Sequence, residues 1–110
     1  WGVYLSGGSS NNRIGTDGDG VGDGFERNVV SANGATTGYD GINLNGSSNN
    51  VIAGNYTGTD VTGTVAFPNG DSGIAIWGGS TGNRIGTNTS TLKNRISAAL
   101  KAGGVWNTYR

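Results

Sequence analysis

The 110-residue chain has no cysteine, no methionine, no histidine and a single proline. Without cysteine there is no disulfide framework, no thiolate metal site and no cysteine nucleophile. Without histidine the commonest general base is missing. An excess of charge of one sign is also lacking, because seven basic residues offset seven acidic ones. No net field therefore draws the chain to nucleic acid or a membrane surface. No apolar run approaches the roughly 20 residues of a membrane-spanning helix, which argues against membrane insertion. Hydrophobic residues make up only 33% of the chain, against about 45–50%, glycine included, in ordinary domains. The chain opens on Trp1 and shows no signal-peptide pattern, as expected of a processed or excised polypeptide.

Glycine is abundant, at 23 residues, and so is self-similarity. GVYLSGGSSNNRIGT starts at Gly2, GINLNGSSNNVIAGN at Gly41, GIAIWGGSTGNRIGT at Gly73, and a fourth start, GVWNTYR, at Gly104. Steps of roughly 30–40 residues are those of repeat architectures. A disordered chain has no reason to keep apolar residues at matched positions. Within each repeat they alternate: Val3 and Leu5, Ile42 and Leu44, Ile74 and Ile76, then Val105. Alternation puts every second side chain on one face of a strand.

A second apolar column follows an asparagine each time, at Ile14, Ile52 and Ile85. A third takes Val29 and Val30, Tyr56 and Ile96; its register stays open, because NVVSAN also matches NVIAGN. Three short strands per repeat, separated by Gly/Ser/Asn/Thr turns, describe a winding chain whose equivalent strands stack in parallel about 4.8 Å apart. The expected fold is all-β, a solenoid of about three coils near residues 2–40, 41–72 and 73–103, with a fourth beginning over 104–110. The whole of 1–110 then reads as one domain or a segment of a longer array. One stretch competes. TSTLKNRISAALKAGG places Leu92, Ile96 and Leu100 at helical spacing, with Ser90 as cap and Gly103 as stop. It predicts a short helix over about 91–101 in place of the last coil's third strand.

The repeated G-I-x-I-x-G-x-x-x-x-N-x-I-x-G-N pattern resembles the right-handed parallel β-helix repeats of secreted and cell-surface bacterial proteins. NRIGTDGDGVGDGFERNVVSAN is especially similar to the tandem arrays in such proteins, and the resemblance covers about residues 2–97. It implies a right-handed coil and an extracellular or cell-surface location. It leaves the function open, since this architecture hosts lyases, hydrolases, adhesins and passive stalks. The family's pectin-cleaving hydrolases use clustered Asp with His, and neither Asp-Asp nor His occurs here. Its calcium-dependent lyases use carboxylate-bound metal with Arg or Lys as base, which Asp17, Asp19, Asp23 and Arg27 would imitate only across a binding groove. The expectation is a non-catalytic structural module that stacks head-to-tail into a fibre. The alternatives are a glycan-binding or adhesive module, or a fragment of a polysaccharide lyase or hydrolase.

Several positions invite a functional reading. In GTDGDGVGDGFE, Asp17, Asp19, Asp23 and Glu26 fall at positions 3, 5, 9 and 12 of an EF-hand-like loop counted from Gly15. Hard cations such as Ca2+ want convergent carboxylates on a loop supple enough to wrap them. Position 1, however, is Gly15 rather than Asp, and the same residues also make an ordinary solvated turn. Asn12, Asn50 and Asn83 suggest a stacked amide ladder at a corner, a structural device. Trp77 should project from the face opposite Ile74 and Ile76, to stack on a sugar ring or to pack beneath a loop. Sequons at Asn45, Asn55 and Asn88 offer glycosylation sites, though such triplets arise by chance in an Asn/Ser/Thr-rich chain. Acidic residues crowd the first repeat and basic ones the last, which suits head-to-tail self-association at open strand edges.

Overall fold

A computed structural model describes residues 1–34 and 36–86, together with the backbone of 95–96 and 103–107. The described residues are all-β, with one single-turn 3-10 helix at Asp23–Phe25. The first repeat gives β1 (Val3–Ser6), β2 (Arg13–Gly15) and β3 (Val29–Val30). The second gives β4 (Ile42–Asn45), β5 (Val51–Ala53) and β6 (Tyr56–Thr57). Then follow β7 (Ser72–Trp77), β8 (Arg84–Ile85), β9 (Arg95–Ile96) and β10 (Gly103–Asn107).

The strands sort into three parallel sheets, ordered β1-β4-β7-β10, β2-β5-β8 and β3-β6-β9. Parallel neighbours cannot be joined by a tight turn and need a long connection. Each repeat supplies one, because the path from a strand to its neighbour passes through the other two sheets. In the first sheet Val3 pairs with Ile42, Ile42 with Ile74, and Ile74 with Val105, the register the alternation predicted. In the second, Ile14 pairs with Ile52 and Ile52 with Ile85, also as predicted.

The third sheet corrects the sequence reading. Val30 pairs with Thr57 and Thr57 with Ile96, while Tyr56 shares the row of Val29 and Arg95. Thr57 is fully buried and Val29 is 42% exposed, so Thr57, not Tyr56, is the inward residue of the second repeat. A rule covers every sheet but the first: the column residue stands two places after an asparagine, as in Asn12–Ile14, Asn28–Val30, Asn50–Ile52, Asn55–Thr57 and Asn83–Ile85.

The core follows from these columns. Ile14, Val30, Ile42, Leu44, Ile52, Ile74 and Ile76 cluster, with Val3 and Leu5 packed against them. Burying each such side chain fully is worth about 1.5–3 kcal/mol. The corners are built by residues that accept left-handed backbone: Asn11 (φ 59°), Asn49 (φ 60°) and Gly82 (φ 66°) each precede a ladder asparagine.

The helix expected over 91–101 is contradicted at its centre, where Arg95–Ile96 form β9 against β6. The other residues of that range lie outside those described. Helical spacing is a local preference of at most about 0.7 kcal/mol per residue. Against it, the sequence Asn94-Arg95-Ile96 continues the asparagine-plus-two pattern, and strand β6 offers a parallel edge at that place.

Candidate functional site

The polar residues of the repeat are spent first on its corners. The backbone N–H and Nδ2 of Asn12 both donate to Asn50 Oδ1, at 2.9 and 3.0 Å. Asn50 repeats this onto Asn83 Oδ1, at 2.9 and 3.1 Å. This is the expected ladder. Sequence reading missed two more. Asn28 donates twice to Asn55 Oδ1, at 3.2 and 3.0 Å, and Asn33 twice to Asn69 Oδ1, both at 3.0 Å. The return bonds run from Asn55 Nδ2 to the Ile14 carbonyl at 2.8 Å and from Asn69 Nδ2 to the Val30 carbonyl at 3.2 Å. The signals were present, as the asparagine-plus-two rule for Asn28 and Asn55 and as the matched Asn-Gly pairs 33–34 and 69–70. Buried Asn55 is also the middle sequon, so its amide is engaged inside the molecule. Asn45 is half-buried, and Asn88 lies outside the described residues.

The glycine-rich loop after β2 brings three of the four predicted carboxylates together. Ligand oxygens of Asp17, Asp23 and Glu26 lie within 4.8 Å of one another. Asp19 is not part of this triad; its Oδ1 accepts the Val21 N–H at 2.7 Å in a local turn. The triad is served by its own loop. Asp23 accepts the Thr16 hydroxyl at 2.6 Å and the Gly20 N–H at 3.0 Å. Asp17 accepts the Asp19 N–H at 3.0 Å, and Glu26 accepts the Asp17 N–H at 3.1 Å. The Arg13 guanidinium stands 3.9 Å from Asp17. Three hard oxygen donors suit a calcium-class cation chemically.

Arg27, the base that a lyase-like arrangement would need, is engaged elsewhere. Its Nε donates to the Gly54 carbonyl at 3.3 Å, and its guanidinium lies 4.1 Å above the Tyr56 ring. A cation over an aromatic face is held there electrostatically.

A third assembly lies on the outward face of the first sheet. Trp77 projects there, opposite Ile74 and Ile76 as predicted, and remains 36% exposed. Its indole N–H donates to Asn43 Oδ1 at 2.9 Å, and Asn43 Nδ2 donates to Asp40 Oδ2 at 2.6 Å. The other Asp40 oxygen accepts the Ser72 N–H at 2.9 Å, and both Asp40 and Asn43 are buried. On the neighbouring strand, Asn45 Nδ2 donates to the Tyr4 hydroxyl oxygen at 3.2 Å. Trp1 stacks on Tyr4 with ring centroids 4.5 Å apart and meets Tyr39 edge-on at 4.7 Å. Nothing in the sequence marked Asp40 and Asn43 as a linked pair. Strand β7 then adds the Ser72 N–H on Asp40 and the Trp77 indole on Asn43.

Among the described residues no helix is long and apolar enough to cross a membrane. Comparison with known families, with curated proteins and with solved structures finds no match for this chain.

Proposed function

We propose that the chain is a right-handed parallel β-helix module of about three coils, acting as a non-catalytic structural element outside the cell or at its surface. The observation that supports this reading best is the common register of the three sheets together with the three asparagine ladders along them. The residues that recur from repeat to repeat serve to continue the stack. The location rests on the family resemblance.

On this reading Asp17, Asp23 and Glu26 are an accessory calcium clip on the loop after β2. Copies associate end to end through β1 and β10, the outer strands of the first sheet.

The test is a product assay on pectate and alginate, with and without calcium. No products above buffer are expected in either case. Calcium at tenfold its dissociation constant should raise Tm by roughly 5 °C, an effect lost with chelator and in Asp23→Asn. Calcium-dependent product formation that disappears in Asp23→Asn would overturn the non-catalytic reading. Sedimentation velocity at rising concentration tests the end-to-end contact. A strict monomer removes that contact and leaves the module.

A further inference from the structure

We propose that Asn33–Gly34 is a deamidation site, at which the folded chain converts Asn33 to aspartate and isoaspartate and so opens one of its own corners. The chain holds three Asn-Gly pairs, at 33–34, 45–46 and 69–70. Asparagine is a thermolabile side chain, and a following glycine exposes it most, because no Cβ shields the next backbone nitrogen. That nitrogen attacks the side-chain carbonyl carbon and closes a succinimide ring. At Asn33 a bond forms from the Gly34 nitrogen to Cγ, and the Cγ–Nδ2 bond breaks. The amide leaves as ammonia, taking the Gly34 proton. Water then opens the ring, giving aspartate when it enters at Cγ and isoaspartate when it enters at the backbone carbonyl. One water is consumed and one ammonia released, and no other reactant is needed.

By sequence the three pairs are equals; the structure separates them. The reacting groups are the carboxamide and the glycine N–H, and the hydrogen bonds they hold must give way before the ring closes. At 69–70 there are four: two donated to Asn69 Oδ1 by Asn33, one from Asn69 Nδ2 to the Val30 carbonyl, and one from the Gly70 N–H to the Asn33 carbonyl. Both residues are buried as well. At 45–46 there are two, from Asn45 Nδ2 to the Tyr4 hydroxyl oxygen at 3.2 Å and from the Gly46 N–H to the Trp77 carbonyl at 3.1 Å. At 33–34 there is one, from Asn33 Nδ2 to Asn69 Oδ1 at 3.0 Å. Among the described residues Asn33 Oδ1 accepts no donor and the Gly34 N–H reaches no acceptor, and the pair is half-buried in a turn. One net hydrogen bond is worth roughly a factor of five in an equilibrium, so Asn33 should convert about fivefold faster than Asn45 and on the order of a hundredfold faster than Asn69.

The position gives the reaction a consequence. The Asn33 N–H and Nδ2 both donate to Asn69 Oδ1, and the Gly70 N–H returns to the Asn33 carbonyl, so this corner ties the first repeat to the second. Aspartate at this position replaces the Nδ2 donor with an acceptor oxygen facing Asn69 Oδ1. Isoaspartate routes the backbone through the side chain and lengthens it by one carbon. Either product opens this ladder, while the Asn12 and Asn28 ladders keep their partners. The inference rests on the corner itself and not on the structural role proposed above.

The experiment is peptide mapping of the folded full chain, held in mildly alkaline buffer at body temperature and sampled over weeks, beside the same chain in concentrated urea. Trypsin leaves residues 28–84 as one peptide carrying all three pairs. Electron-transfer fragmentation places the mass gain of about 1 Da and distinguishes isoaspartate. In the folded chain Asn33 should lead, then Asn45, then Asn69. In urea, where each pair is the same solvated dipeptide, the three rates should converge. Asn33→Asp, which carries one of the two products from the start, should melt about 5 °C or more below the parent. If that variant does not fold, the parent melted before and after Asn33 has converted supplies the comparison.

Three results would overturn the site: Asn45 or Asn69 converting first in the folded chain, the same order persisting in urea, or no conversion at Asn33 while the unfolded chain reacts. Unchanged melting after conversion would overturn the claim that the corner opens. None of these outcomes touches the structural module, which stands or falls on the product assay.

Discussion

A carboxamide offers two donors and a two-lone-pair acceptor on one planar group, and Asn50 uses both ends, its Nδ2 also reaching the Ser9 carbonyl at 3.5 Å. Asn50 is fully buried; its Oδ1 takes two donors from Asn12, and its Nδ2 donates to Asn83. Asn50→Ala strands the Asn12 N–H and one Asn83 acceptor site, so it should cost about 3 kcal/mol in chemical denaturation. A loss below about 0.5 kcal/mol, the range of inert surface changes, would contradict the ladder's role. At neutral pH Asn50→Asp should be worse than alanine, because it buries a charge, and should recover on acidification. Asp60 shows the same chemistry on an exposed loop. The Thr62 hydroxyl, at 2.6 Å, is the main reason its carboxyl sits below the usual 3.8, with the N–H groups of Val65, Thr64 and Thr62 assisting. A lowered folded value means the loop gains stability above the ordinary carboxylate range and loses it as pH falls through the lowered one. The amide resonances of Thr62, Thr64 and Val65 should therefore shift together with a midpoint under 3.8, and Asp60→Asn should abolish the transition.

At the scale of elements, alternation made β1, β4 and β7 legible, because a strand with one buried face repeats every two residues and nothing else does. The short strands were harder. β6 has only two residues, Tyr56 and Thr57, too few to show a period, and the aromatic looked like the residue to bury. The asparagine two places earlier settles the choice, since the corner fixes the phase of the strand that follows. The cost of this arrangement is visible in the Thr57 hydroxyl, which is buried in register with Val30 and has no hydrogen-bond partner among the described residues. Thr57→Val keeps the branching and removes the unpartnered group. It should raise stability by about 1 kcal/mol, measured by denaturant unfolding. A destabilised variant would mean the hydroxyl is bonded after all. The helix expected over 91–101 failed at Arg95–Ile96 for a related reason, since periodicity within one segment says nothing about an open strand edge brought up from 39 residues earlier, the offset from Thr57 to Ile96.

At the scale of the whole molecule, the sites divide by how far apart their parts lie in the chain. The acidic loop was legible because its members sit within ten residues, from Asp17 to Glu26, although which three of the four carboxylates converge was not. Of the aromatic residues, only the outward direction of Trp77 was legible, from the alternation of its strand. Trp1, Tyr4 and Tyr39 share no spacing, yet Trp1 packs against both of the others. By itself, then, the sequence determined the all-β class, the repeat register of the first two sheets and one amide ladder. Each of these depends on recurrence along the chain, and recurrence can be read from one dimension. The tertiary structure alone decided which residue of the third column turns inward, which carboxylates converge, and which rings and amides share a face. Those outcomes depend on distances between residues that no period relates, and such distances exist only after the strands have paired.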